Sequence, residues 1–161
     1  WRSVGGLVMV GAGLLVILFS RRFGGDEAAR AITAAWGVTA IAAFAGLAEL
    51  SPVLQDSDFP TVRTVVAFVA SAMIGQYVAV SFYDVVRGGG PWWRAPLLAA
   101  LIGLGLQAAI YYPWVFLGTA APWFFWMIAD FAVKAAAAVA FLPIYKTLQR
   151  PLRPRGGFGG R

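Results

Sequence analysis

The sequence predicts an all-α fold, a polytopic membrane helix bundle with about five transmembrane helices, and three observations predict it. Of the 161 residues, 60% are hydrophobic and only 12% are charged, whereas soluble domains carry about 25% charged residues. The apolar residues also exceed what a soluble core of this length hides from water. Finally, they fall in five stretches, each close to the length of a helix that crosses a bilayer.

Charged residues, glycines and prolines separate the five stretches. Arg21 and Arg22 end the first, Pro52 closes the second, and the Gly/Pro run at 88–91 ends the third, because Gly and Pro break helices. Pro122 begins the fifth, since proline suits a first helical turn. The predicted spans are about residues 4–19, 31–47, 65–86, 96–117 and 122–145.

These spans define one transmembrane domain over residues 1–150. A Gly/Pro/Arg-rich tail follows over residues 151–161, and we expect it to be disordered or to lie on anionic lipid. The first stretch lacks the basic start and cleavage site of a signal peptide, so we expect it to remain as a helix. The chain begins at Trp1 and not at Met. If a helix is missing upstream of Trp1, the bundle is expected to have six helices.

Basic residues occur in alternate links, which predicts the orientation. They are Arg21, Arg22 and Arg30 in the first link, Arg87 and Arg94 in the third, and Lys146, Arg150, Arg153, Arg155 and Arg161 in the tail. Because Lys and Arg in short loops stay in the cytoplasm, we expect a multi-pass protein of a bacterial inner membrane with a cytoplasmic C-terminus. Its first partner is the lipid bilayer, and this distribution of charge does not predict nucleic-acid binding.

The composition argues against most enzyme chemistry. The chain has no cysteine and no histidine, which excludes disulfides, thiol nucleophiles, imidazole bases and Cys/His metal sites. It has no phosphate-binding loop, paired-carboxylate site or catalytic triad. The run Gly88-Gly89-Gly90 follows a helix and not a strand, so it lacks the context of nucleotide binding. We therefore predict neither enzymatic activity nor a metal or cofactor.

Two ionisable residues lie at membrane depth in the fifth span. Such groups cost roughly 2.5–3.5 kcal/mol each on insertion scales, so they need a partner or a function. Asp130 and Lys134 are four residues apart, which places them on one helix face within reach of each other. Two interpretations stay open: a substrate or ion contact, or a charge pair that locks helix packing.

The third and fourth spans carry a second polar group, with Gln76 and Tyr77 on one and Gln107 and Tyr111 on the other. Hydrogen bonds between helices are one explanation, since glutamine among small residues often joins transmembrane helices. The other is a pocket in which the two amides bind a planar ligand and the tyrosines stack on it. The resulting substrate-site hypothesis comprises Gln76, Tyr77, Gln107, Tyr111, Asp130 and Lys134, between the third, fourth and fifth spans.

Short sequence elements follow one another in a recognisable order through most of the chain. They are Phe23-Gly24 and Glu27 to Arg30, then Ser71, Gln76 and Arg87, then Trp93-Arg94, then Gly118 and Pro122, then Lys134, Pro143 and Tyr145. In order and spacing they resemble the queuosine precursor transporter family, also called vitamin uptake transporter-like. The resemblance implies a six-helix importer of 7-deazaguanine bases, a small planar substrate used in tRNA modification.

The chain departs from that family's pattern at three acidic positions. A Ser-Gln-x-x-Asp element is expected on each of two successive helices, but Ala79 and Gln107 stand at its acidic positions, and Arg21 replaces the acid expected before the first-link glycine. A carboxylate at this depth would recognise an N–H edge or a cationic amine. The resemblance therefore implies a diverged, degenerate importer. The alternative is a non-transporting structural or accessory subunit that packs against other membrane subunits.

Overall fold

The computed structural model of the protein describes residues 4–50, 52, 61–88 and 90–152, with side chains from Val8 onward. These residues form five α-helices and no strand: α1 Val4–Phe23, α2 Gly25–Leu50, α3 Val62–Val86, α4 Arg94–Phe116 and α5 Trp123–Gln149. The predicted all-α class is confirmed. By length and apolar composition, α2 to α5 are each able to cross a membrane. Residues 53–60 of the second link and the tail from Arg153 onward lie outside the described residues.

The helices extend beyond the predicted apolar spans, most clearly at the first link. A single residue, Gly24, separates α1 from α2, and its φ of 95° is the left-handed conformation that glycine adopts without strain. The acidic residues Asp26 and Glu27 occupy the first turn of α2, where negative charge favours the helix dipole. The helix thus begins six residues before the predicted span of residues 31–47, because charged residues continue the helix beyond the apolar stretch.

The first helix contacts each of the other four. Its buried apolar side chains are Val10, Leu14, Ile17 and Leu18, a spacing that places them on one helix face. They form the main core together with small and aromatic side chains of α3, α4 and α5. By contrast, α2 contacts only α1 and α3.

The closest helix pair is α3 and α4, whose backbones meet at two glycines. A Cβ atom added to Gly75 would lie 2.6 Å from the carbonyl oxygen of Gly103, and a Cβ added to Gly103 would lie 2.6 Å from that of Gly75. Real Cβ atoms do not approach backbone oxygens this closely. Transmembrane helices associate through close packing of small residues, so this contact fixes the separation of α3 and α4.

A polar cluster joins four helices at the end of the bundle that carries most of the basic residues. The Asp84 carboxylate accepts a hydrogen bond from Ser20 Oγ at 3.2 Å and pairs with Arg87 at 3.3 Å. It also lies against Gly25, at the N-terminus of α2, where an added methyl group would overlap it. The buried hydroxyls of Tyr83 and Tyr145 are 2.8 Å apart. The cluster therefore ties α1, α2 and α5 to α3.

Large apolar side chains cover the outside of the bundle. Examples are Ile41 at 73% exposure, Phe44 at 78%, Val85 at 84% and Phe125 at 73%. Soluble monomers rarely expose apolar surface on this scale. The distribution therefore agrees with helices whose outer faces contact lipid.

We expect Gly75→Ala to destabilise the bundle, because the methyl group overlaps the Gly103 carbonyl of α4. Overpacking of this kind costs about 1–3 kcal/mol, which should appear as a lower apparent melting temperature in detergent. The control is Gly37→Ala in α2, where an added Cβ meets nothing within 4 Å. Equal melting temperatures for the two variants would contradict the glycine contact.

Candidate functional site

Gln107 is a polar side chain buried at mid-span, with 7% of its surface exposed. It lies in α4 on the wall of a cavity of about 30 Å³ between α1, α3 and α4. Within the described residues its amide makes no hydrogen bond to another protein group. Buried polar groups nearly always have a hydrogen-bond partner. Gln107 therefore presents donors and an acceptor to the cavity.

The same cavity is lined by Gln76 of α3, and the rest of its described wall is small or apolar. The glycine contact explains this pairing, because Gln76 directly follows Gly75, and Gln107 lies one turn beyond Gly103. Gln76 and Gln107 thus line one cavity whose other described residues are small or apolar, and the predicted binding of a ligand between them stays a prediction. The cavity, however, lies beside α1 and not beside α5.

Gln76 also borders a second space, a groove of about 280 Å³ between α1 and α2. Its side-chain oxygen accepts a hydrogen bond from the indole Nε1 of Trp36, at 2.9 Å. Two residues, Met9 and Gln76, line both the groove and the cavity. They therefore form the partition between the two spaces.

Tyr77 turns away from the cavity. Its hydroxyl is hydrogen-bonded to Thr33 of α2, and its ring packs on the cluster of Ala28, Ile32 and Val80. The tyrosine thus joins α3 to α2, with its polar end already paired within the protein.

The remaining three predicted site residues lie together between α4 and α5. Lys134 Nζ and Asp130 Oδ2 are 2.7 Å apart, with 10% and 19% of their side chains exposed, so the predicted pairing is present. Tyr111 of α4 lies near Asp130, and its ring packs edge-to-face on Phe68 and Tyr112. None of the three is among the residues that line the cavity or the groove.

Sequence reasoning missed two contributors to the site, α1 and Trp36. The mid-span of α1 has no polar side chain that could mark it. Trp36 did carry a signal, since tryptophan favours the headgroup level and this one lies near the middle of α2. A buried indole N–H usually finds a partner, which is here Gln76. Among the described residues, no group of three or more acidic side chains is placed to hold a metal ion.

We expect Lys134→Met to destabilise the protein by about 3–5 kcal/mol, because it leaves the Asp130 carboxylate partly buried without its cation. The double variant Asp130→Asn/Lys134→Met should recover much of that loss, because neither charge remains. Thermal unfolding in detergent measures both effects, with the exposed Lys146→Met as control. A double variant no more stable than Lys134→Met would contradict a structural charge pair.

The comparisons with known proteins agree with this architecture. Residues 3–148 match the family described as "Putative vitamin uptake transporter", whereas no curated protein and no solved structure matches the chain. The match covers nearly the whole chain, and the four long apolar helices suit a membrane transporter. The resemblance found in the sequence is thereby confirmed: the chain belongs to the family described as "Putative vitamin uptake transporter", which is not described as an enzyme family.

Proposed function

We propose that the protein imports a planar, neutral base of the 7-deazaguanine type, a queuosine precursor, and that Gln76 and Gln107 bind it near the middle of the membrane. The observation that carries this proposal is Gln107, which is more than nine-tenths buried and unpaired within the described residues, on the wall of a cavity shared with Gln76. An amide offers two donors and an acceptor. Two such groups match the alternating donors and acceptors along the edge of a purine-like base.

The cavity alone is too small for a base, and the neighbouring groove supplies the missing space. A volume of about 30 Å³ accommodates little more than water, whereas ligand pockets measure about 300–1,000 Å³. The groove of about 280 Å³ approaches that range. Methionine is unbranched and flexible, so a rotation of Met9 in the partition would join the two spaces into one site.

The lining favours a neutral substrate. No carboxylate is among the described residues around the cavity or the groove. Ala79, at one of the two helix positions where the family pattern has an acid, lines the cavity, and Gln107 occupies the other. A cationic amine would therefore lose its hydration without gaining a counter-ion, which is costly at membrane depth.

The other four residues of the predicted substrate site have structural roles in this proposal. Tyr77 is hydrogen-bonded to Thr33, and Asp130 and Lys134 are paired with each other beside Tyr111. The polar groups of Tyr77, Asp130 and Lys134 thus have partners inside the protein. Tyr77 joins α3 to α2, whereas the Asp130–Lys134 pair lies within α5.

In the membrane we propose five spans, with α1 as the first. Its length of 20 residues and its contacts with all four other helices support this count. The charges of Arg22, Arg87, Arg94 and Lys146 lie at the same end of the bundle, which we assign to the cytoplasm by the distribution of basic residues. The C-terminus then faces the cytoplasm of a bacterial inner membrane.

A second candidate function is that of a non-transporting subunit in a larger membrane complex. The observation behind it is the outer half of α2, where every residue from Gly37 to Leu50 is exposed. Lipid alone can cover such a surface, so we place this function second. Purification from mild detergent without a stoichiometric partner would contradict it.

We expect Gln107→Ala to lower uptake of radiolabelled 7-deazaguanine roughly tenfold, because a lost hydrogen bond leaves a polar group of the bound base unpaired. The assay uses cells or proteoliposomes that contain the full chain. The control is Gln149→Ala, the same substitution at the end of α5, away from the cavity. Uptake that is absent in the wild type, or equal in the two variants, would contradict the proposal.

Competition should show the preference for a neutral base. We expect 7-cyano-7-deazaguanine to inhibit uptake of the labelled base, and the cationic 7-aminomethyl derivative to inhibit it at least roughly tenfold less well, because the site offers no carboxylate to an ammonium group. The measurement is the inhibitory concentration of each competitor at a fixed concentration of labelled base. Equal inhibition by both would contradict a neutral site.

A further inference from the structure

Trp36 fixes the orientation of the Gln76 amide. An indole N–H is a donor and offers no acceptor, so the amide atom 2.9 Å from Trp36 Nε1 has to be the oxygen of Gln76. When the oxygen accepts from Trp36, the NH₂ group points in another direction. Within the described residues Trp36 is the only hydrogen-bond partner of this side chain, so both N–H donors stay available.

The indole is itself held in place. Its ring packs edge-to-face on Phe68 at a centroid distance of 6.2 Å and an interplanar angle of 70°. Phe68 in turn packs on Tyr111, at 6.3 Å and 85°. This row of rings links α2, α3 and α4, so the donor that faces Gln76 does not turn freely.

The Gln76 side chain lies where a ligand would reach it. Gln76 borders both the groove between α1 and α2 and the cavity that contains Gln107. Any ligand that extends from the groove to Gln107 has to pass the Gln76 amide. That ligand meets donors at this point, because the amide oxygen is already engaged by Trp36.

We infer that Trp36 is a positioning residue that makes Gln76 a hydrogen-bond donor towards the ligand, so that the site selects a planar heterocycle with an exocyclic carbonyl over one with an amino group at the same place. This inference rests on the proposed binding function and deepens it. A site built around a fixed donor rejects a ligand that presents another donor, because both groups are then left unpaired.

The test compares two bases of nearly equal shape, 7-deazaguanine with a 6-carbonyl group and 2,6-diamino-7-deazapurine with a 6-amino group. Binding to the purified full chain in detergent is measured by equilibrium dialysis. We expect the wild type to bind the carbonyl base roughly tenfold more tightly or better. In Trp36→Phe the ring contact with Phe68 is kept, the donor is removed and the Gln76 amide is free to rotate.

We expect Trp36→Phe to bind the diamino base more tightly than the wild type does, so that the two affinities come within roughly threefold of each other. A variant that had lost its structure would bind the diamino base less tightly, so misfolding cannot produce this gain in affinity. Gln76→Met keeps the length of the side chain without its donors and should also abolish the preference, so the inference stays testable if Trp36→Phe fails to fold. The control is Trp92→Phe, whose indole contacts Lys146 away from the site.

The outcomes separate the two proposals. The first outcome is that the wild type, Trp36→Phe and Gln76→Met bind both bases with the same preference. This outcome overturns the role of Trp36 and leaves the proposed function standing. The Trp36–Gln76 bond is then only a link between helices. Binding of neither base by the folded wild type overturns the proposed substrate class and this inference together.

Discussion

The approach of α3 and α4 at Gly75 and Gly103 is the contact on which the site depends. In lipid there is little hydrophobic force between helices, so close packing and hydrogen bonds decide how they associate. Each glycine leaves room for the other's carbonyl oxygen. Because Gln76 and Gln107 follow these glycines in the two helices, the same contact brings both amides to one cavity.

The first helix completes that cavity without contributing a polar side chain to it. It lies against all four other helices and closes the open side of the α3–α4 pair with apolar residues. The surround therefore has a low dielectric constant, in which hydrogen bonds to the two amides are strong and unpaired groups are costly. Met9 belongs to this wall and to the groove beside it, so this flexible side chain and Gln76 separate the small cavity from the larger groove.

The polar residues at membrane depth fall into two groups according to how their hydrogen bonds and charges are satisfied. Asp130 is paired with Lys134, and Tyr77 with Thr33, which is what a stabilising role requires. Gln107 has no partner among the described residues, and Gln76 has one for its oxygen only. Stability alone does not favour such unpaired donors. This contrast, and not the presence of polar residues as such, distinguishes the proposed ligand site from the contacts that hold the bundle together.

The sequence by itself determined the membrane class, the five helices and the Asp130–Lys134 pair, because each follows from local features: runs of apolar residues, Gly and Pro between them, and a spacing of four along one helix. It also marked Gln76 and Gln107, since amides are conspicuous in apolar spans. The apolar run did not mark where α2 begins, because the bounds of a helix follow its backbone hydrogen bonds and not its apolar residues. Only the tertiary structure decided that α1 and Trp36 take part in the site and that Tyr77, Asp130 and Lys134 lie elsewhere. The physical reason is that a residue's position along its helix fixes its depth in the membrane, whereas the neighbour it faces depends on how the helices are rotated and packed against one another.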